Sequence, residues 1–253
     1  MSDDLFHTDL EGEHAMLVDV IDDGLEGELD DRIPQLRRLL SEGDDEERLN
    51  AARMLVAWCD PVGFEALLAW AAKPDSSPGA AVNRFTGDDA TFARLADALR
   101  TSQYSIRADE QRSLRADAGR ALLELVEDYD FERELSAAVS PLRADLLPEL
   151  TRAAERAVDA VAGSATPGFD LGTQAASLLM PLAREDDATA AELADRLIDA
   201  APKDSRMLLE LGDSMAAGTG AASLDVLQRL TKSRDPAVRE NAAGALSRRG
   251  LEA

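Results

Sequence analysis

Apolar side chains recur at intervals of three and four residues along most of the chain, which is the spacing of one face of an α-helix. Ile33, Leu36 and Leu40 form one such stripe, the acidic stretch 42–47 interrupts it, and a second stripe follows. No stretch alternates apolar and polar residues as a half-buried strand would. The pattern therefore predicts an all-α protein built from short helices joined by polar turns.

An aspartate followed by a proline marks two predicted helix starts, at Asp60 and Pro61 and again at Asp235 and Pro236. The aspartate side chain accepts hydrogen bonds from the free N–H groups of a first turn, and proline fits the first helical position. Both pairs therefore predict helix N-termini rather than catalytic groups.

Three segments, 47–55, 114–122 and 238–246, align without gaps. Each has arginine at the second place, small residues at the fifth and sixth, and leucine at the ninth. The repeated arginines are Arg48, Arg115 and Arg239. Small side chains let neighbouring helices approach closely, while the leucine fills the space between layers. A unit of two short helices cannot bury its apolar face alone, so we expect the copies to stack and the arginine to be structural.

The stretch DPAVRENAAGAL at 235–246 resembles a HEAT repeat, especially the short prokaryotic variety related to phycobilisome-lyase-type repeats. The resemblance is good at both ends of the chain and weakens between residues 140 and 220. The apolar stripes continue there, but the aspartate-proline pair and the arginine of the repeat are missing. It implies a right-handed α-solenoid of roughly six or seven helix pairs. It also implies that the second helix of each pair lines the concave face.

Composition divides the chain into four parts. We expect an N-terminal cap or partly frayed segment at 1–28, HEAT-like repeats at 29–162, a hinge loop at 163–173, and further repeats at 174–253. Two more turn-rich stretches, 73–89 and 101–109, interrupt the repeat. They are either plain connections or loops that build a binding surface.

The charge balance is strongly acidic, because 50 acidic residues oppose 27 basic ones for a net charge of −23. Such a field repels phosphate backbones and anionic lipid, so we expect neither nucleic acid nor membrane as a partner, and it attracts basic proteins. Two other sources of the acidity stay open. A high-salt habitat selects acidic surfaces poor in lysine, and a GC-rich genome favours arginine. The only lysines are Lys73, Lys203 and Lys232.

The N-terminal stretch 1–14 is acidic and lacks the basic and apolar regions of a signal peptide. No apolar run approaches the ~20 residues that span a bilayer, so we expect a cytoplasmic protein. Cys59 is the only cysteine, which excludes an intramolecular disulfide. Its apolar neighbours predict a buried, inert thiol rather than a nucleophile.

His7, Glu11 and His14 would share one face if they lay on a helix, and all three are zinc ligands by type. Gly12 weakens such a helix and no fourth ligand is evident, so we expect a solvated cap and no metal. The acidic stretch 19–30 departs from a calcium loop at its third and twelfth places, and we interpret it as a turn.

No Gly-rich phosphate loop or hydrolase motif is present, and we predict a non-enzyme without a cofactor. The predicted contact residues are polar places on the alanine-bearing helices together with both tryptophans. They are Asn50, Arg53, Asp117, Arg120, Asn241, Arg248, Trp58 and Trp70. Each tryptophan is either an interface anchor or a core residue.

The sequence as a whole favours a protein–protein interaction scaffold. We expect it to bind another, possibly basic, protein through its concave face and loops, as an inhibitor or immunity-type protein or as a general adaptor. One alternative is an accessory or lyase-like HEAT protein that acts on a cofactor-bearing partner. The other is an adaptor of a salt-loving organism, whose acidity is unrelated to its partner.

Overall fold

The computed structural model describes residues 3–79, 90–163, 168–200 and 203–249. Over these residues it contains fourteen α-helices, and its only β-type pairing is an isolated bridge between Thr8 and His14. The prediction of an all-α fold is therefore confirmed. None of the described helices is both long enough and apolar enough to cross a membrane.

The helices are numbered here in chain order. They are α1 (Asp3–His7), α2 (Leu17–Asp23), α3 (Ile33–Glu42), α4 (Asp45–Ala57), α5 (Pro61–Ala72), α6 (Thr91–Thr101), α7 (Arg112–Leu123), α8 (Glu134–Val139), α9 (Leu147–Ala162), α10 (Leu171–Glu185), α11 (Asp187–Ala200), α12 (Ser205–Ala217), α13 (Ala221–Leu230) and α14 (Pro236–Arg248). They fall into two compact units, unit 1 (Met1–Leu122) and unit 2 (Leu123–Ala253).

Helix α4 is the centre of unit 1, where it packs against α3, α5 and α6. Its small residues Ala51 and Ala52 are fully buried, and so is Leu55 at the ninth place of the repeat. Gly63 of α5 lies so close to Leu55 that a Cβ there would overlap it. Small side chains at these positions therefore permit the close helix contacts that the repeat predicts.

Both predicted Asp-Pro helix starts are present. Asp60 accepts a hydrogen bond from the Val62 N–H at 3.1 Å, and Arg37 donates to the same carboxylate at 2.6 Å. Asp235 accepts from the Ala237 N–H at 2.8 Å. The aspartates therefore act as N-caps of α5 and α14, as predicted.

The repeated arginines share one structural role. Each guanidinium donates to a backbone carbonyl of the preceding helix or turn: Arg48 to Leu40 at 3.3 Å, Arg115 to Ala108 at 3.4 Å and Arg239 to Ser233 at 2.9 Å. These bonds tie the helix that follows to the element before it and satisfy carbonyls that a helix or turn leaves open. The prediction of a repeated structural place is confirmed for all three arginines.

Unit 2 is built from two rows of helices. Helices α8, α10, α12 and α14 pack successively on one another, as do α9, α11 and α13, and helices of one row also pack on those of the other. Small residues again lie at the crossings, since Ala175, Ala176 and Ala194 are fully buried. The apolar stripes between 140 and 220 thus correspond to α9–α12, although the Asp-Pro and Arg places are missing there.

The boundary between the two compact units lies at residues 122 and 123, whereas the sequence places its division at 163–173. Helix α9 before that stretch packs on α10 and α11 after it. The stretch therefore lies within unit 2, and α10 already begins at Leu171. Residues 164–167 are outside the described part of the chain, and the predicted hinge stays a prediction.

The other two predicted interruptions lie in unit 1. In the stretch 73–89, Pro74–Ser76 form a 3-10 turn, and residues 80–89 are outside the described residues. In the stretch 101–109, Ser102–Tyr104 form a second 3-10 turn and irregular backbone leads on to α7. The second interruption is a loop between α6 and α7.

Candidate functional site

Both tryptophans belong to the core of unit 1, which is the alternative to an interface anchor. Trp58 is fully buried and Trp70 is 6% exposed. The Trp58 indole N–H donates to the Ile21 carbonyl at 2.8 Å, and its ring lies where a Cβ on Gly24 would overlap it. The Arg48 guanidinium stacks over the Trp70 ring at 5.6 Å. The burial of both indoles agrees with the core alternative, and a contact with a partner stays a prediction.

The Trp58 contacts also connect the segment 1–28 to the core of unit 1. Val20 and Ile21 of α2 are buried, and the indole bond anchors the carbonyl end of that helix. Helix α2 therefore packs on unit 1, and whether the segment 1–28 as a whole is a cap or partly frayed stays a prediction.

The six polar contact candidates are divided between the units. Asn50, Arg53, Asp117 and Arg120 lie in unit 1, whereas Asn241 and Arg248 lie in unit 2. Arg53 donates to Asn50 at 3.4 Å and Arg120 to Asp117 at 2.5 Å, each within one helix. Asn241 of α14 donates to Asp213 of α12 at 2.9 Å. Arg248 is exposed. Whether these residues line a concave face stays a prediction.

The two histidines approach each other, but not along one helix. Helix α1 ends at His7 and the chain turns back, so that Thr8 pairs with His14 in the isolated bridge. The imidazole centroids are 5.7 Å apart. The helical offset that would align His7, Glu11 and His14 is therefore absent. Among the described residues, no group of three or more His, Cys, Asp or Glu side chains is placed to hold a metal ion.

Cys59 is buried, with a left-handed φ of 59°. Its Sγ lies 3.4 Å from the Ser102 carbonyl, and burial raises the pKa of the thiol above its usual value. A higher pKa leaves less thiolate at neutral pH, which agrees with the expected inert thiol.

Exposed apolar side chains are concentrated in unit 1. Among the described residues, the large ones are Leu10, Met16, Val18, Tyr104 and Ile106. Tyr104 and Ile106, which are 61% and 59% exposed, lie in the loop 102–111 that interrupts the repeat. Apolar surface that stays exposed does not contribute to the stability of the fold. A group of exposed large apolar side chains therefore often marks an interaction site.

The loop 102–111 is held firmly although it is irregular. The Ser105 hydroxyl and the Arg107 guanidinium both donate to the Trp58 carbonyl, at 3.3 and 3.4 Å. Arg107 also forms an ion pair with Asp30, and the Ile106 N–H donates to the Leu25 carbonyl at 3.1 Å. The core of unit 1 therefore fixes the backbone that presents the two exposed side chains.

Exposed acidic residues lie close in sequence to Ile106 and to the glycine that its side chain contacts. The Ile106 side chain lies against Gly27, where a Cβ would be 3.3 Å from Ile106 Cδ1. Glu26 and Glu28, which flank Gly27, are exposed. Asp109 and Glu110, which follow Ile106 in the chain, are exposed as well. We define the loop patch as Tyr104, Ile106 and these carboxylates, Glu26, Glu28, Asp109 and Glu110.

Unit 2 contains a groove with cationic walls. It encloses about 500 Å³ at the ends of α11 and α13 and the start of α12. We define the cationic groove by its lining residues, which are Ile198, Lys203, Leu208, Arg229, Leu230, Lys232, Ser233 and Arg234. The apolar members are nearly buried and form the floor. Among the residues that the structure describes, no carboxylate lines the groove.

The cations of the groove differ in their partners. Arg229 donates to Asp195 at 2.7 Å and to Asp199 at 2.5 Å, and these hydrogen bonds raise its pKa. Lys203, Lys232 and Arg234 are exposed and form no ion pair with the described residues. No sequence motif indicates this site, although two of the three lysines of the chain lie in it.

Gln174 of α10 holds an irregular segment of unit 2 in place. Its side chain is 1% exposed and accepts from the Phe131 N–H at 2.6 Å. The same amide donates to the carbonyls of Val126 at 2.6 Å and Tyr129 at 3.1 Å. One side chain thus bonds to three backbone groups in the stretch 124–133, whose own backbone bonds are those of turns, such as the bond from the Tyr129 N–H to the Leu125 carbonyl at 3.2 Å.

Glu210 of α12 is a second buried polar group near this segment. Its side chain is 2% exposed and forms an ion pair with Arg133. Burial raises the pKa of Glu210, and the Arg133 charge opposes that shift without cancelling it. Because Arg133 is the last residue of the segment 124–133, this pair also connects the segment to α12.

A comparison of the chain with protein-family models, curated proteins and solved structures found no match. The resemblance to HEAT repeats therefore stays a prediction that rests on the residues themselves. Any function has to be argued from the surfaces described above.

Proposed function

We propose that the protein is a non-catalytic α-solenoid scaffold that binds a basic protein partner through the loop patch of unit 1. The observation that carries the proposal is the pairing of rigid backbone with exposed apolar side chains at Tyr104 and Ile106. A tyrosine on fixed backbone can bury a large area at little cost in conformational entropy. Such residues supply much of the binding energy of protein interfaces.

The surroundings of the patch favour a basic partner. Interfaces commonly have an apolar centre inside a polar rim, and the rim here consists of exposed carboxylates. The net charge of −23 adds a long-range field of the same sign. Together they steer a cationic surface toward the patch and disfavour an acidic one. An inhibitor or immunity-type protein that blocks a basic enzyme or toxin fits this chemistry.

The scaffold part of the proposal rests on packing and on the repeat. The two rows of helices in unit 2 and the shared bond of Arg48, Arg115 and Arg239 are what stacked helix pairs require. In a right-handed HEAT-like solenoid the alanine-bearing helices line the concave side. Asn50, Arg53, Asp117 and Arg120 then provide a second contact surface within unit 1.

The test uses a partner recovered from native lysate by affinity capture and then purified. We expect a basic protein whose affinity, measured by calorimetry, falls steadily with added salt. Replacing Tyr104 and Ile106 together by alanine should weaken binding by about 30-fold or more. Both side chains are exposed, so the melting temperature should not change.

The matched control replaces Leu10 and Met16 by alanine, which removes similar exposed apolar surface elsewhere in unit 1. We expect it to bind like the wild type. The proposal is wrong if the partner is acidic, or if the loop-patch variant binds as tightly as the control.

A further inference from the structure

We propose that the cationic groove of unit 2 binds a small organic anion, with an apolar body on the floor and a phosphate or carboxylate head between the cations. This site is separate from the loop patch, which lies in unit 1. It does not depend on whether the protein has a basic partner.

The charges of the groove are unusual for this protein. Acidic residues outnumber basic ones by 50 to 27, so a cation on this surface has many carboxylates available. Lys203, Lys232 and Arg234 nevertheless line one groove without an ion pair to the described residues. Like charges held close together repel each other, and an anionic ligand between them removes that repulsion.

The nearest carboxylates in sequence are occupied elsewhere. Asp204 accepts from the Met207 N–H at 3.1 Å as the cap of α12. Asp235 caps α14 and also accepts from the Ser205 hydroxyl, and the hydrogen bonds lower the pKa of Asp235. Both carboxylates are committed to helix starts, so the cations beside them in the chain are left for another anion.

Arg229 adds a donor whose position is fixed. Asp195 and Asp199 hold its guanidinium from α11, so the side chain loses little further freedom when a ligand binds. Such preorganisation increases affinity because the cost of ordering the site is already met. Arg229 therefore orients the ligand, while the three unpaired cations supply the net positive charge.

The floor and the volume define the body of the ligand. Ile198, Leu208 and Leu230 offer an apolar surface, and about 500 Å³ is within the range of small-molecule sites. An inorganic ion would fill only the rim and leave the floor wet. An alkyl or aryl group with one anionic head matches both parts, whereas a nucleic acid backbone is disfavoured by the net charge.

The test uses the fluorescent anion 1-anilinonaphthalene-8-sulfonate as a probe of the full-length protein. We expect one probe molecule per chain, displaced by octyl phosphate or octanoate but not by octylammonium. Displacement by either anion supports the proposal, and the tighter one identifies the head group. Butyl phosphate should compete less well, by up to about fourfold for each methylene lost from the floor. Failure of both octyl anions overturns the proposal.

Charge reversal locates the site. Lys232→Glu with Arg234→Glu should weaken octyl phosphate binding by about tenfold or more. The matched control is Lys73→Glu with Arg38→Glu, which changes the net charge equally on exposed residues of unit 1. Equal weakening by both double variants means a general charge effect and overturns the proposal.

A milder variant covers the case in which the double reversal lowers the melting temperature. Lys203→Gln removes one cation without adding an acid, and we expect about threefold weaker binding. Lys73→Gln should leave the affinity unchanged. Indistinguishable affinities of these two single variants also overturn the proposal.

Discussion

The two units present opposite chemistry to a partner. In unit 1 the loop 102–111 breaks the helical pattern and exposes apolar side chains among carboxylates. In unit 2 the helices alternate regularly between two rows, and the described surface includes a groove with cationic walls. Regular stacking in unit 2 buries nearly all of the large apolar side chains that the structure describes there. An apolar contact surface then requires a departure from the repeat.

The units also differ in how they hold irregular backbone. The loop 102–111 in unit 1 is fixed by several groups, among them Ser105, Arg107 and the Ile106 N–H. The segment 124–133 in unit 2 has three of its backbone hydrogen bonds with one buried amide, that of Gln174. Single substitutions should therefore have unequal effects in the two units.

The largest effect is expected for Gln174→Ala. It removes the hydrogen bonds that Gln174 makes to a buried N–H, a buried carbonyl and a partly buried carbonyl, which should cost about 3 kcal/mol in the free energy of unfolding. The control Gln228→Ala removes an exposed amide from α13 and should change stability by less than about 0.5 kcal/mol. Urea denaturation measures both. Equal stabilities would show that the segment does not rely on this side chain.

A smaller effect is expected for Arg107→Ala in unit 1. It removes the ion pair to Asp30 and one bond to the Trp58 carbonyl, while Ser105 still donates to that carbonyl. Because the pair is partly exposed, we expect a loss of about 1 kcal/mol. Arg38→Ala, which removes an exposed pair within one helix, is the control. A loss as large as that of Gln174→Ala would contradict the shared anchoring of the loop.

The smallest effect is a change in pH dependence caused by Glu210. Because burial raises its pKa, the folded protein holds the proton more tightly than the unfolded chain. The contribution of this group to stability is therefore fully present below the unfolded pKa and is lost as pH rises through the folded pKa. Glu210→Gln cannot ionise, so its melting temperature should rise relative to that of the wild type as the pH increases from the unfolded pKa of Glu210 through its higher folded pKa.

The control for this measurement is Glu192→Gln, an exposed carboxyl on α11 in the same unit. Its melting temperature should follow the wild type across the range. A constant difference between Glu210→Gln and the wild type at every pH would show that Arg133 cancels the effect of burial.

The local features of the fold could be predicted from the sequence. Caps such as Asp60 and Asp235 act within one turn of their own helix, so their chemistry is visible in neighbouring residues. The structural role of the repeated arginines could also be predicted, because each donates to a carbonyl only six to eight residues earlier in the chain. The apolar period of three and four residues alone predicts helices in both units.

Long-range contacts could not be predicted in the same way. Gln174 bonds to groups 43–48 residues earlier, and in the sequence it is one polar residue in an apolar stripe. The cationic groove combines residues of three helices and two turns, which only the packing of rows brings together. The apolar stripe that ends at Trp58 is compatible with a core residue, but its contacts with Ile21 and Gly24 lie more than 30 residues away in the chain and could not be predicted.

The burial of both tryptophans in unit 1 also gives the molecule a natural optical label. Trp58 and Trp70 are the only indoles of the chain, so the emission maximum reports on the environment of unit 1 and is silent about unit 2. Far-UV circular dichroism reports on the helices of both. Coincident denaturation curves from the two signals mean that the units unfold as one cooperative block, whereas separated curves give each unit its own transition.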